Sequence, residues 1–598
     1  MKRCLILCAC LLSLTTVTVR AELSTHNIFG SNMVLQRGKA VPIWGWAQEG
    51  ESVTVEFAGQ KKTVKTGDDG KWVVELDAME ASSKPQTLVV TGAKDTIEYE
   101  NVLVGDLWIC GGQSNMELSL GWIYHSDVEL ASANFPGVRL MTLPEGATPT
   151  LQKNFSREDT GEGEKKGVWC VCSPGSLPVR HFSAIGYIFG RRLHMASRIP
   201  IGLIDTSVGG TVVEACASRE ALESVGDAAP LLKDWDEKIA AWDAKKDLAR
   251  RLEEWKKRNE RLKAEGKNPW KKPAGGFDLL PGPAYDRNNP SASYNAMVGV
   301  FAGFAVKGAI WNQGYQNAGF NARPALYTKT FQAMIRDWRR TFRDDKMPFG
   351  IVEFGGGAEP QTMDNFELRM VDAAPYIREA QFQAYKDLEG IGWACAYDQQ
   401  VNFFHPFRKL MLGERIARWA LATQYGVKLG HEPAICTNSE IAGDRIILTF
   451  DRGVKVDDGR PIEGMAIAGA DKLFYPAQAR RVVIGKDSRN QDVVDCMRVE
   501  VWCEHVPEPK AVRYAWARNP LGNLVNSEHL ERVLPVPSFR TDKWGWEDAP
   551  CGSGSDAIAR GRYAKAMGQA RQQNRKRKLL DAKARVKELQ DAEGKEKK

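Results

Sequence analysis

Apolar and polar residues alternate with a period of two through much of residues 22–104. The alternation is clearest in Val41–Trp46, Ser52–Phe57 and Lys71–Leu76, and clusters of Gly, Asp and Lys separate these segments. Such alternation is typical of antiparallel strands that bury one face. The pattern predicts an N-terminal β-sandwich domain over residues 22–104.

Between residues 105 and 430, buried strands alternate with amphipathic helices. Apolar runs predict strands at residues 102–110, 199–206, 307–311, 349–354 and 391–397. Apolar residues at helical spacing predict helices at residues 182–196, 326–342 and 406–425. This order indicates a parallel sheet covered by helices, an α/β domain. Residues 224–290 interrupt it with apolar positions at helical spacing among many charges. They are predicted to form a helical insertion, either a lid or a solvated strut.

Strand-like segments return after residue 430. They include Arg445–Phe450 and residues 482–484, 497–502 and 511–516, and they predict a C-terminal β-rich domain over residues 431–545. Residues 546–598 are polar and basic, and they predict a tail that is either helical or disordered.

The first 21 residues have the pattern of a signal peptide. Lys2 and Arg3 precede an apolar run over residues 4–14, and Val19 and Ala21 suit a cleavage site before Glu22. The apolar run is shorter than the ~20 residues that cross a bilayer, which argues against a membrane anchor. Lipidation at Cys10 is a weaker alternative. We therefore expect a periplasmic or secreted protein without a transmembrane segment.

The excess of positive charge is confined to the tail. The 598 residues include 82 Lys and Arg and 75 Asp and Glu, a net charge of +7, whereas residues 556–598 alone hold 14 basic and 6 acidic residues. The rest of the chain is close to neutral, which argues against a nucleic-acid partner. The tail is expected either to associate weakly with acidic polymer or to be a solvated extension.

Cysteine usage leaves the disulfide pattern open and does not indicate a metal centre. Nine Cys follow the predicted signal peptide, an odd number, and Cys170 with Cys172 and Cys496 with Cys503 are candidate pairs. The chain has no CxxC pair and no HExxH motif, so we predict no metal site and no cofactor.

One strand end carries the clearest sign of chemistry. A buried strand runs into Gly111 and Gly112, and Ser114 follows at the start of the next element. Ligands bind at the carboxyl ends of strands in open α/β sheets, and glycines allow a sharp turn that exposes a hydroxyl. Ser114 is therefore a candidate nucleophile, although a serine there can also simply cap a helix. The segment lacks the second Gly of a GxSxG elbow.

A serine nucleophile needs a base, and histidine is the usual one. His405 lies after a predicted strand and before a predicted helix, in another loop at a strand end. His125 and His181 also lie in loops and stay as alternatives. Position alone favours His405.

Several sequence blocks resemble one known family. They are, in chain order, Gly112-Gln-Ser-Asn-Met-Glu, Pro200-Ile-Gly-Leu-Ile-Asp-Thr-Ser-Val-Gly-Gly, Lys307-Gly-Ala-Ile-Trp-Asn-Gln-Gly-Tyr-Gln-Asn-Ala and His405-Pro-Phe-Arg-Lys. Together they are similar to the sialate O-acetylesterase family, a branch of the SGNH hydrolases. The resemblance covers roughly residues 27–542 and implies a flavodoxin-like core, a parallel sheet with helices on both faces, between the two β-rich domains.

The resemblance also implies roles for individual residues. Ser114 would be the nucleophile and His405 the base. Gly209 or Gly210 and the side chain of Asn317 would donate to an oxyanion, and Gln313 in the same block is a further oxyanion or substrate-binding residue. The implied substrate is an O-acetylated glycan, most of all sialic acid, and ester hydrolysis needs no metal. A polysaccharide acetylesterase and a non-catalytic glycan-binding protein on a degenerate core are the alternatives.

Two positions depart from the family pattern. Tyr315 stands where the family has Glu, and Asn402 and Phe403 occupy the place of the acid that usually precedes the histidine. Asp398 is the nearest upstream acid and ends a predicted strand. The sequence is therefore compatible with a Ser–His dyad or with a triad that recruits Asp398.

Overall fold

The computed structural model describes residues 22–159, 165–270, 281–319, 324–456, 459–528, 534–544 and 557–596. The predicted signal peptide at 1–21 lies outside these described residues. Eight described Cys are free thiols, so the candidate pairs Cys170 with Cys172 and Cys496 with Cys503 are not formed. None of the described helices is both long enough and apolar enough to cross a membrane.

The N-terminal region is built of strands, as the alternating pattern predicted. Its strands are β1 Ser24–Thr25, β2 Val34–Gln36, β3 Val41–Trp46, β4 Ser52–Phe57, β5 Gln60–Lys65, β6 Lys71–Leu76, β7 Ser82–Thr91 and β8 Thr96–Gly112. Strand β3 pairs with β1 and β6, and β4 pairs with β5 and β7, all antiparallel. The predicted strands β3, β4 and β6 are confirmed.

Strand β8 links this region to the central sheet. Its first half alternates between exposed and half-buried residues and pairs with β7, whereas every residue from Val102 to Gly112 is buried. The predicted division between residues 104 and 105 falls inside this strand. The domain division itself stays a prediction.

The central region has the expected mixture of strands and helices. Its elements are α1 Ser114–Glu117, α2 Ser126–Ala131, β9 Phe135–Thr142, β10 Glu158–Asp159, β11 Lys165–Lys166, β12 Cys170–Cys172, α3 Leu177–His181, α4 Ala184–Ser197, β13 Ile201–Asp205, α5 Arg219–Glu223, α6 Ala229–Ala240, α7 Ala244–Ala264, α8 Ala292–Met297, β14 Gly308–Asn312, α9 Tyr315–Gly319, α10 Pro324–Thr341, β15 Phe349–Val352, α11 Phe366–Arg369, α12 Ala374–Asp387, β16 Ile391–Ala394 and α13 Lys409–Gln424. Helices α6 and α7 confirm the helical character predicted for the insertion.

The central sheet is covered on both faces. Its order is β12-β9-β13-β8-β14-β15-β16, with β12 antiparallel to β9 and the other neighbours parallel. Trp108 and Ile310 pack in one cluster with residues of α4 and α13. Ile109 and Trp311 belong to the cluster of α10 and α12 on the other face. This mixed α/β architecture with additional β-rich regions agrees with the predicted class.

The C-terminal region returns to strands and ends in a long helix. Its elements are β17 Cys436–Ala442, β18 Arg445–Phe450, β19 Val454–Lys455, β20 Met465–Ala468, β21 Tyr475–Pro476, β22 Gln478–Lys486, β23 Asp492–Trp502, β24 Ala511–Tyr514, β25 Val525–Asn526, β26 Phe539–Arg540 and α14 Ala557–Glu596. Two antiparallel sheets have the orders β17-β18-β23-β22 and β21-β20-β24-β26. The described part of the tail is thus helical, one of the two predicted states.

Candidate active site

Ser114 lies at the first residue of α1, directly after the turn that ends β8. Gly112 in that turn has φ +141°, and a Cβ there would lie 2.2 Å from the backbone oxygen of Asn312 on the neighbouring strand β14. Only glycine fits so close to another backbone. The tight turn leaves Ser114 half-buried at the carboxyl end of the sheet.

The residue before Ser114 ties it to the loop after β14. The backbone N–H of Gln113 donates to Asn312 O at 3.1 Å. Its side-chain Oε1 accepts the backbone N–H groups of Gly314 and Gln316, both at 3.1 Å. Gln113 therefore holds the segment that contains Gln313 and Asn317 beside the candidate nucleophile.

The residue after Ser114 ties it to the histidine loop. The side-chain Nδ2 of Asn115 donates to Phe404 O at 3.1 Å, and its Oδ1 accepts the Lys409 ammonium at 2.6 Å. Both Asn115 and Lys409 are buried. Because Phe404 precedes His405, these two bonds bring the histidine loop to the nucleophile.

The Gly209–Gly210 turn forms a third side of the site. Val208 N–H donates to Gly112 O at 3.1 Å, and a Cβ on Gly209 would lie 3.4 Å from the Ser114 Cβ. The backbone of Gly209 also donates to the Glu117 carboxylate, whose pKa is raised by burial and by the nearby Glu145. The turn therefore lies against Ser114, and the N–H of Gly209 faces Glu117.

The side chain of Asn317 is oriented by partners with fixed roles. Its Oδ1 accepts the backbone N–H of Val213 at 3.1 Å, and its Nδ2 donates to the Glu214 carboxylate at 3.0 Å. A backbone N–H can only donate, so the amide oxygen faces Val213 and the amide cannot be flipped. One amide hydrogen of Asn317 goes to Glu214, and among the described residues no hydrogen-bond acceptor takes the second.

Gln313 supports Asn317 and does not offer a donor of its own. Its Nε2 donates to Thr211 O at 2.9 Å and to Asn317 Oδ1 at 2.7 Å, while its Oε1 accepts the Tyr327 hydroxyl at 3.0 Å. Both amide hydrogens are therefore in use inside the protein. In this structure Gln313 positions Asn317, and its predicted role as an oxyanion or substrate-binding residue stays a prediction.

His405 is half-buried among aromatic rings. The Phe404 ring centroid lies 4.4 Å from that of the imidazole, and burial together with the positive charge of Lys409 lowers the pKa of His405. Burial also lowers the pKa of Lys409 to about 7. In the part of the chain that the structure describes, no carboxylate hydrogen-bonds to the His405 ring. A lowered pKa keeps the imidazole neutral, the form that accepts a proton.

Asp398 has a different partner from the one that the sequence suggested. Its two carboxylate oxygens accept from the Arg415 guanidinium at 2.8 and 2.7 Å. Arg415 is only 6% exposed, so it needs this compensating charge. Among the described residues Asp398 makes no hydrogen bond or ion pair with His405, and its carboxylate is paired with Arg415 of α13. In this structure Asp398 is a structural ion-pair partner.

The other candidate bases, His125 and His181, take no part in the hydrogen bonds that tie Gln113 and Asn115 to the neighbouring loops. His125 is exposed at the start of α2, and His181 is the last residue of α3. The contacts of Gln113 and Asn115 lead instead to the loop after β14 and to the His405 loop.

Within the described residues, no group of three or more His, Cys, Asp or Glu side chains is arranged to hold a metal ion.

Sequence reasoning missed three residues that organise this site. Asn115 and Lys409 join the nucleophile to the histidine loop, and Glu214 orients Asn317. All three lie next to or inside the blocks that carry the family resemblance. The signal was therefore present, but their partners are distant in sequence and only the fold shows them.

No family model matches the chain. Curated relatives do match it along most of their length. The sialate O-acetylesterase of Mus musculus is 27% identical over 542 residues, covering 85% of this chain and 92% of the relative. That of Homo sapiens is 26% identical over 545 residues, covering 85% and 90%.

Among solved structures, a carbohydrate acetylesterase from Xanthomonas citri matches with a TM-score of 0.68 and 27% identity. The match covers 87% of this chain and all of the other. The fold and these matches define the protein as a carbohydrate esterase. These matches support the sialate O-acetylesterase family, to which the sequence blocks are similar.

Proposed function

We propose that the protein is an exported esterase that removes O-acetyl groups from sialic acid or related glycans, with Ser114 as nucleophile and His405 as base. One observation carries this proposal. The two neighbours of Ser114 hydrogen-bond to different loops, Gln113 to the loop of Asn317 and Asn115 to the loop of His405. These bonds support a common location for the nucleophile, the oxyanion donor and the base.

The first half of the reaction acylates the enzyme. Ser114 Oγ attacks the acetyl carbonyl carbon while His405 takes its proton. The carbonyl oxygen becomes an oxyanion, which accepts hydrogen bonds from the free amide N–H of Asn317 and a backbone N–H of the Gly209–Gly210 turn. When the carbonyl re-forms, the bond to the sugar oxygen breaks and His405 returns the proton to that oxygen. The deacetylated sugar leaves.

The second half releases acetate. His405 takes a proton from a water molecule, which attacks the acetyl carbon of the Ser114 ester. The same donors stabilise the second oxyanion. The bond to Ser114 then breaks, and His405 returns the proton to Ser114 Oγ. The sum is one ester and one water converted into acetate, a proton and a free sugar hydroxyl.

We assign the base function to a Ser–His dyad. Asp398 pairs with Arg415, and Asn402 and Phe403 are exposed. Lys409 lowers the pKa of His405, whereas the carboxylate of a triad would raise it. The dyad therefore has a weaker base than a triad, but one that is already deprotonated below neutral pH.

A flavodoxin-like core of the SGNH type is part of the same proposal. Numbered along the chain, β8, β13, β14, β15 and β16 lie in the spatial order 2-1-3-4-5, which supports this core. Strand β9 adds to its edge beside β13. Ser114 follows the first strand of the series, at the point where the strand order reverses.

Acetate release from a panel of substrates tests both the chemistry and the substrate. The panel contains O-acetylated sialic acids and acetylated xylan, since the structural match is to a carbohydrate acetylesterase. We expect turnover of sialic acid esters, and none by Ser114→Ala. Ser132→Ala removes an exposed hydroxyl elsewhere and is the matched control. Full activity in folded Ser114→Ala would refute the nucleophile, and a preference for xylan would move the substrate to plant-type polysaccharide.

Export is proposed from the N-terminal pattern alone. Expression of the full chain in a host with a signal peptidase should give a mature protein that begins at Glu22. Sequencing the N-terminus of the protein recovered outside the cytoplasm checks this. An intact N-terminus, or retention in the cytoplasm, would contradict it.

A further inference from the structure

Helix α14 docks on the molecule through one face. The buried residues of its described part are Ala570, Gln573, Asn574 and Arg577, which recur at helical spacing. From Asp581 to Gln590 every residue is exposed, so the helix projects beyond the body. A helix that buries polar and charged side chains at regular spacing is held by specific partners, because burying such groups alone is costly.

The partners of α14 are concentrated on α11 and the residues before it. Arg577 donates to the Glu367 carboxylate at 2.6 Å and to Met363 O at 2.6 Å. Asn574 donates to the same carboxylate at 2.7 Å and to Asp364 O at 3.0 Å. Glu367 is 2% exposed, and Arg577 is its cation. The tail helix therefore compensates a buried charge of the catalytic region.

The segment that receives α14 begins at the carboxyl end of β15 and reaches the histidine loop. Gly356 and Gly357 both have positive φ. A Cβ on Gly356 would lie 2.4 Å from Pro406 Cγ, and one on Gly357 would lie 2.7 Å from Phe404 Cα. The first part of this segment thus packs directly against the residues on both sides of His405.

A second connection joins the same two loops. The Asn519 side chain donates to Ala358 O at 2.9 Å and to Val401 O at 3.2 Å. Its backbone oxygen accepts the N–H of Gln361 at 2.8 Å. Residues 355–372, which we call the bridging segment, are therefore held at one end by the histidine loop and Asn519 and at the other by α14.

We propose that α14 is a clamp that fixes the bridging segment and, through it, the position of His405. Arg577 is a positioning residue in this device, since it touches neither substrate nor reacting atoms. The inference rests on the proposed function for the role of His405. It assigns a catalytic consequence to a helix that lies beyond residue 542, where the family resemblance ends.

The test compares two arginines of the same helix in the full-length protein. Arg577→Ala removes the buried cation, whereas Arg575→Ala removes an exposed one two residues away. We expect Arg577→Ala to speed backbone hydrogen exchange in residues 355–364 and 402–408. It should also lower kcat on a small acetyl ester about tenfold with KM unchanged, because sub-ångström misplacement of a base weakens proton transfer. Arg575→Ala should change neither.

The outcomes separate cleanly. Unchanged exchange in residues 402–408 of Arg577→Ala, or faster exchange there with an unchanged kcat, would overturn the clamp. If backbone hydrogen exchange in Arg577→Ala is faster throughout the protein, Asn574→Ala replaces it in the same test. That substitution removes two hydrogen bonds between α14 and the bridging segment and leaves the ion pair of Arg577 in place. A wild-type protein with no esterase activity would instead refute the proposed function, and the exchange measurement would still report on the contact between α14 and the histidine loop.

Discussion

The two sides of the candidate site are built differently. On the oxyanion side, Asn317 is held by Glu214, Gln313 and Val213, which are all buried and each hydrogen-bond to its side chain. On the base side, His405 lies in a loop beside exposed Phe403 and Phe404, and no carboxylate holds its ring in the described part of the chain. One side is rigid before substrate arrives, and the other depends on packing.

This difference indicates which catalytic groups are held in position before substrate binds. Oxyanion stabilisation requires donors that need no reorganisation, and the network around Asn317 provides that. A base can complete its hydrogen bonds when substrate binds, since such bonds are often long in unliganded sites. We therefore expect changes on the oxyanion side to act on kcat alone, and changes on the base side to act on pH dependence as well.

Removing the base should have the largest effect. We expect His405→Ala to lower kcat by about 10⁴-fold or more, because no other group then takes the Ser114 proton. Steady-state hydrolysis of a small acetyl ester measures this, with His431→Ala as a control at a histidine outside the site. Near wild-type activity in His405→Ala, with loss in His181→Ala or His125→Ala, would assign the base elsewhere.

Loss of the oxyanion donor should come next. We expect Asn317→Ala to lower kcat by about 10²–10³-fold with little change in KM, since the donor acts in the transition state. Asn295→Ala, which removes a half-buried amide at another position, serves as the control. An effect confined to KM would make Asn317 a contact to bound substrate, and the two sides would then differ less than we infer.

Lys409→Met should reveal the electrostatics of the base side. The charge of Lys409 lowers the pKa of His405, so its removal should move the acid limb of the kcat/KM profile to higher pH. Loss of the bond to Asn115 should also lower kcat about tenfold. Arg408→Met removes the neighbouring exposed cation and should leave the limb in place. An unmoved limb in Lys409→Met would show that Lys409 only supports the loop.

Asp398→Asn should have the smallest catalytic effect. Because Asp398 pairs with Arg415, we expect kcat to stay within about threefold of wild type. The free energy of unfolding should fall by about 1–3 kcal/mol, since the buried guanidinium loses its counter-charge. Urea unfolding beside kinetics measures both. A large loss of kcat with unchanged stability would restore Asp398 as the acid of a triad.

The fold was predictable wherever periodicity was strong. Strands β3, β4, β6 and β18 have the bounds that alternation indicated. Strand β9 was missed because Pro136 and Gly137 near its start are typical of loops. Helix α13 begins at Lys409, three residues later than predicted.

Only those residues of the site that lie in recognisable sequence motifs were predictable. The structure brings the segments of Ser114, Asn317 and His405 together, as the blocks suggested. The contacts that hold them there join Gln113 to Gly314 and Asn115 to Lys409, and no local pattern marks such distant pairs. Closeness in sequence to His405 suggested Asp398 as its partner, whereas the structure pairs the Asp398 carboxylate with Arg415, and the triad role stays an untested alternative.

Strand β8 has a consequence for how the chain is made. Its last residues pair on one side with Ile201–Asp205 and on the other with Gly308–Asn312. During synthesis the first half of β8 can pair with β7 as soon as both strands have emerged. The half that leads to Ser114 stays unpaired until β13 and β14 have been made. An apolar strand edge that stays open for this long is a site for premature association. The nascent chain should accordingly depend on chaperones until Asn312 has left the ribosome.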